Sequence, residues 1–197
     1  MNMKPLLQRI LPLITALTVT SAPCVYAHDP HGKPDPMNAF LEKLKGAEFE
    51  QSFLQQMIQH HRSGIEMAKL VGSNTQRAEL RQFADKMIAS QQQEIDQMTG
   101  WLKSWYNASP KDVANAEADK EMKMHISMLQ DKNGSDFDKA FLDMMPKHHH
   151  AAVEMSEQVE KKATHAELKE FAAKLAKDQQ QEMKQMKEWA QSWFGPA

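Results

Sequence analysis

Residues 53–67 read FLQQMIQHHRSGIEM and residues 141–155 read FLDMMPKHHHAAVEM, the same phrase 88 positions apart. The correspondence runs well beyond these stretches. Residues 78–106 (AELRQFADKMIASQQQEIDQMTGWLKSWY) answer residues 166–194 (AELKEFAAKLAKDQQQEMKQMKEWAQSWF). Laid without a gap, 49–106 on 137–194, about 24 of 58 pairs are identical. The register continues weakly backward, where Gly46 meets Gly134 and Leu41 meets Leu129. Such a repeat means that one supersecondary unit is used twice. Ala, Leu, Met, Gln, Glu and Lys dominate it and strand-type alternation is absent, so the unit is helical. Each copy predicts a helical hairpin. Helix A covers about 47–72 and helix B about 76–106, broken at Gly72-Ser73-Asn74; the second copy covers about 135–161 and 164–194. Segment 107–134 joins the copies and predicts a helix of its own at about 111–131. Pro146, inside the second helix A, predicts a kink or a late start there. Four long helices with short turns give the fold class: all-α, an up-and-down four-helix bundle with a pseudo-twofold axis. The bundle domain occupies 37–197, with repeats 37–106 and 125–194 joined by the linker helix.

Composition narrows the function classes. The chain has 197 residues, 15 Met, 9 His, 7 Gly, one Cys and a net charge of −2. Its mean hydropathy is −0.65. That balance offers no basic field for nucleic acid and no polytopic membrane protein. Residues 1–27 read as a secretory signal: Lys4 and Arg9, a short apolar run Ile10 to Val19, then Val25-Tyr26-Ala27 at the cleavage positions. A lipoprotein acylated at Cys24 is the alternative, though Pro23 fits a lipobox poorly. Cleavage near His28 removes Cys24 and leaves 22 basic and 26 acidic residues, a net charge of −4. A thiol-free chain suits an oxidising compartment, periplasmic or secreted, and there metal must be held by imidazole, thioether and carboxylate. Residues 28–36 (HDPHGKPDP) predict a loose tail.

At about 100° per residue, the apolar arc of helix A takes in Phe49, Phe53, Met57, Gly64, Met67 and Val71. His60 and His61 fall inside that arc, beside Met57 and Gly64. Polar rings on an apolar face need hydrogen-bond or metal partners. Helix B carries Gln91 and Glu94 in its own apolar stripe, and an antiparallel hairpin brings them within about a turn of Met57 and His60. The second copy sets Met145, His148, His149, Gln179 and Glu182 at the corresponding level. The plainer explanation is a hydrogen-bonded His–Glu pair that fixes helix register, with Met as core filler. Linker residues 122–128 (MKMHISM) add Met122, His125 and Met128 at three-residue spacing.

The metal ligands expected are therefore His148, His149, Met144, Met145, Met155, His125, Met122 and Met128 in the second half. His60, His61, Met57 and Met67 form the matching set, and Glu94, Glu182, Gln91 and Gln179 orient the ligands from behind. The second half should be the better site, because Met37 and Phe40 stand where it has His125 and Met128.

HHRSGIEMA and HHHAAVEMS, each followed by AELxxFA and a QQQE segment, resemble a secreted family of unknown function with paired HHxxAxxMA motifs. That family includes CopM-like periplasmic copper-binding proteins. The resemblance covers about residues 37–194 and implies a ferritin-like four-helix fold and copper, Cu(I) or Cu(II), as the bound metal. Arg62 and Ser63 depart from the family's usual residues. The expected function is copper sequestration or trafficking in the periplasm, with another copper-handling protein as partner. The alternative is a metal-free helical interaction module or stress chaperone. An enzyme of the di-iron oxidase type is disfavoured, because such sites use Glu-x-x-His and the chain has none.

Overall fold

The computed structural model describes residues 36–111 and 116–195, with side chains for 38–111 and 123–195. The signal segment 1–27 and nearly all of the tail lie outside the described residues. Among the described residues seven helices follow one another: α1 (Pro36–Glu42), α2 (Gly46–Lys69), α3 (Val71–Asn74), α4 (Ala78–Tyr106), α5 (Ala116–Gln130), α6 (Gly134–Lys162) and α7 (Ala166–Phe194). The four long helices are the expected pair of hairpins. Gly46 and Gly134 open the two A helices with the same backbone turn, φ +56° at each. Only glycine takes that conformation without strain, which explains why both copies keep it.

Two details differ from the reading of the sequence. The chain does not break at Gly72-Ser73-Asn74. Those residues form α3, because the Ser73 hydroxyl and the Asn74 amide donate back to the Leu70 carbonyl. The turn falls at 75–77 instead, where the Thr75 hydroxyl accepts the Arg77 N–H and Arg81 donates to the Thr75 and Gln76 carbonyls. Pro146 causes neither a break nor a late start; α6 runs through it from Gly134. Tertiary packing of Leu142, Met144, Met145 and His149 holds that stretch helical although the Leu142 carbonyl has lost its helical donor.

Buried side chains divide into two apolar clusters. One joins Phe49, Phe53 and Met57 of α2 to Met98 and Leu102 of α4, Met155 and Val159 of α6, and Leu168 and Leu175 of α7. The other joins Met67, Leu80, Met87, Phe137, Phe141, Met145 and Met186. This partition fixes the helix directions. α2 and α7 descend from the first cluster to the second, while α4 and α6 ascend. Each hairpin is antiparallel, and the connection bearing α5 carries the chain back along the bundle, the single crossover of ferritin-like folds. The A helices α2 and α6 pack on each other at the centre, and α5 packs against both. The B helices α4 and α7 flank them.

Neither B helix has a side-chain cap of its own. For α7 the partner comes from the other repeat. Glu50 on α2 is fully buried, and its carboxylate accepts the backbone N–H of Thr164 and of His165 at the start of α7, the Tyr106 hydroxyl, and the His165 ring at 2.8 Å. In return Asp138, 88 positions on, accepts from Arg77 Nε at 3.2 Å ahead of α4. His165 stacks on Trp105 at 3.9 Å, and Arg77 sits 4.0 Å over Trp193. Among the described residues no helix is long and apolar enough to cross a membrane.

Candidate metal centre

Between the two apolar clusters lies a layer of histidines. Residues three and four apart share a helix face, so a helix that buries Met57 and Gly64 also turns His60 and His61 inward; α6 does the same with His148 and His149. His60, His61 and His149 are buried, and His148 is partly so. The pseudo-twofold brings the two pairs together. His60 and His148 stack across the α2–α6 interface with ring centroids 3.7 Å apart, and His61 and His149 lie 6.2 Å from their respective neighbours. The sequence placed a histidine pair in each repeat; the packing makes one four-ring group of them.

Hydrogen bonds settle which nitrogens are free. His61 Nε2 meets Glu94 Oε2 at 2.6 Å, and His149 Nε2 meets Glu182 Oε2 at 2.6 Å. A carboxylate only accepts, so each Nε2 carries a proton, and in the neutral ring it is Nδ1 that offers the lone pair. Ser63 does the same for His148. Its single proton goes to the His60 carbonyl at 2.8 Å, so its oxygen accepts from His148 Nε2 at 2.8 Å. The Nδ1 atoms of His61, His148 and His149, and both nitrogens of His60, are buried without a hydrogen-bond partner. Lone pairs left this way inside a protein cost free energy unless something fills them.

Burial, reinforced by the neighbouring rings His61 and His149, pushes the His60 pKa well below the ordinary histidine value, with the His148 backbone acting in the opposite direction. Burial does the same to His148, helped by His60, His149, His61 and, last, His125. Both rings are therefore neutral near pH 7, the form that ligates metal.

Glu94 and Glu182 retain 18 % and 26 % of their side-chain exposure, on a cleft of about 360 Å³ between α4 and α7. Gln91 and Gln179 lie deepest in it, almost fully buried, with the Gln91 Oε1 and both polar atoms of the Gln179 amide unpartnered. Symmetry-related aromatic contacts bridge the B helices, Phe83 on Trp189 at 5.3 Å and Trp101 on Phe171 at 5.1 Å. Gly64 makes the fit beneath Gln91 possible. A Cβ there would stand 2.7 Å from Gln91 Oε1 and 3.0 Å from His148 Cε1.

The remaining expected ligands are spread more widely. Met57 and Met155 belong to the first apolar cluster, Met67, Met144 and Met145 to the second, all buried on either side of the histidine layer. His125 is partly buried on α5, and Met128 is half exposed there. The side chain of Met122 lies outside the described residues. Ser63 escaped the sequence reading as a site residue, although its place three residues after His60 was a usable signal. Among the described residues no three His, Asp or Glu side chains stand preset around one point. The rings are gathered, oriented and uncharged, and an ion would draw their lone pairs together.

The family described as a domain of unknown function, DUF305, matches residues 28–102 and 50–190. Solved structures of CopM align closely. The Cu(I)-bound form is 29 % identical with a TM-score of 0.65 and covers 74 % of this chain and 98 % of its own. The Cu(II)-bound form is 28 % identical with a TM-score of 0.60 over the same shares. A DUF305 fragment from Deinococcus radiodurans, 23 % identical, has a TM-score of 0.66 over 73 % of this chain and 95 % of its own, a likeness of fold. No curated protein matches the sequence.

Proposed function

The chain belongs to the DUF305 family, and from that membership we propose that it is a periplasmic copper-binding protein that sequesters or ferries the ion. The observation that carries this reading is the set of buried, unpartnered imidazole nitrogens at the centre of the bundle. Two of the rings are oriented through their far nitrogen by a carboxylate, an arrangement typical of metal-ligating histidine. Imidazole accepts either oxidation state of copper, and thioethers above and below favour Cu(I). The copper- and silver-bound forms of CopM support the choice of ion. His60, His61, His148 and His149 are the ligands we assign first, with Met57, Met67, Met144, Met145 and Met155 as thioethers within the adjoining layers. Glu94, Glu182, Gln91 and Gln179 position them. The protein is read as a binder and not an enzyme, delivering to or receiving from another copper-handling protein. The signal-like segment 1–27 supports the periplasm.

The test is a Cu(I) titration of purified protein against a competing chelator. Wild type should bind tightly, and the His60→Gln/His148→Gln variant at least tenfold more weakly with unchanged helicity. Equal affinity in the two proteins, or no binding tighter than micromolar, would favour the metal-free module, whose case rests on the same His–Glu hydrogen bonds.

A further inference from the structure

We propose that Met124, His125 and Met128 form a second site, on the surface of α5, for a soft monovalent ion, Cu(I) or Ag(I). The choice of ion rests on the copper reading above; the site itself is distinct from the buried centre.

Among the described residues methionine is mostly a core residue, with Met183 partly buried. Met57, Met98, Met145 and Met186 are all fully buried, as packing would have it. Met124 and Met128 are 51 % and 50 % exposed. Packing does not account for them, because the inward side of α5 is supplied by Leu129, which is fully buried, and by Ile126, which joins the second apolar cluster. Spacing gives them a common purpose. Met124 and Met128 are four apart and His125 and Met128 three apart, so Met128 has both of the others as neighbours on the helix surface, with Cβ atoms about 5–6 Å away. Unbranched thioether arms reach an ion from there without backbone movement. Two thioethers and one imidazole make a soft donor set that prefers monovalent copper to hard divalent ions.

The place of this trio also matters. α5 packs on α2 and α6, the two helices that carry the histidine layer. His125 is the inward member, partly buried, and lies near enough to His148 to contribute to the lowering of that ring's pKa. The outer trio therefore adjoins the most exposed ring of the inner four. The repeat does not impose it, since the same register in the first half holds Pro36, Met37 and Phe40. Only the second half carries these donors.

Ag(I) is a redox-inert probe, and the full chain with ¹³C-methyl methionine is the sample. On titration the Met124 and Met128 methyl signals should shift together with the His125 ring. A Met124→Leu/Met128→Leu variant, which keeps side-chain volume and helix propensity, should bind one Ag(I) fewer than wild type. The His60→Gln/His148→Gln variant should keep the Met124 and Met128 shifts. Unmoved signals at these two methionines while the protein binds Ag(I), or unchanged stoichiometry in the leucine variant, overturns the surface site. If the glutamine variant binds as many ions as wild type while the two signals still shift, the surface site stands and the buried centre falls. A wild type that binds no Ag(I) overturns both.

Discussion

At Gly64 one added carbon would measure how closely the centre is fitted. Alanine in mid-helix is favoured over glycine by about 0.5–1 kcal/mol. Against that gain stands a Cβ 2.7 Å from the end of Gln91 and 3.0 Å from His148. Both neighbours are the far ends of side chains and can move, so Gly64→Ala should leave the unfolding midpoint within about 1 kcal/mol of wild type. Its effect should appear in copper affinity, through the displaced His148 ring; titration of the variant beside wild type checks this. Glu94→Gln tests the orientation of His61 separately. The amide oxygen still accepts from Nε2, but the charge that makes the ring a better donor is gone. Copper affinity should fall about 10–100-fold with unchanged circular dichroism. At this scale the sequence was legible where one helix decides the matter. That His60 and His61 face inward followed from helical spacing, and that Glu94 lies near the histidine pair followed from the antiparallel hairpin, although its partner is His61 where His60 was expected. The His60–His148 stack was not legible, because it depends on how two A helices cross. The grip of Ser63 on His148 spans the same crossing.

Among the elements, α6 carries the clearest internal conflict. Pro146 sits where the first copy has Ile58, and proline inside a helix costs about 3 kcal/mol when nothing relieves it. Pro146→Ala should therefore stabilise the metal-free protein by about 1–3 kcal/mol, read as a higher urea midpoint; an unchanged or lower midpoint would mean the helix is already relaxed around the ring. A late start at Pro146 was a sound inference from local preference, and the helix runs from Gly134 because tertiary packing overrode it. The start of α7 makes a different point. Burial alone would raise the Glu50 pKa, but hydrogen bonds from Tyr106, from the backbone and ring of His165 and from Thr164 hold it at about 2. A carboxylate lowered in the folded state stabilises the fold above its unfolded value of 4.5. That contribution disappears as pH falls from there towards 2, on the order of 3 kcal/mol for this buried group. Glu50→Gln should flatten the acid limb of a stability profile in this range.

For the molecule as a whole, the buried layer makes stability depend on pH and on metal in opposite directions. His60 and His148 resist protonation when folded and take up protons when unfolded. The unfolded chain gains protons as pH drops through about 6.5, so metal-free stability should fall below that value, by up to about 2.7 kcal/mol per pH unit for two rings. Urea midpoints between pH 5 and 8 measure this, and the His60→Gln/His148→Gln variant should lose the slope. Copper should act the other way: free ion at a hundred times its dissociation constant adds about 2.7 kcal/mol, about 5–10 °C in melting temperature for a chain of this size.

The two halves hold the entrances to each other's B helices, by a cap at α7 and an ion pair at α4. Glu50 completes the second half's B helix and Asp138 braces the entrance to the first half's, so one half by itself would be an unfinished object. A single-copy ancestor would have to exist as a twofold dimer, its histidine pairs meeting on the axis. On such an axis every residue faces its own duplicate, and the two sides must be identical. Fusing the copies lifted that constraint. Ser63 could then grip one ring while its counterpart became Ala151, Gly64 could clear space that Ala152 does not, and α5 could carry a pair of exposed methionines where its counterpart α1 has Pro36 and Phe40. Duplication built the centre, and covalent joining left it free to become lopsided.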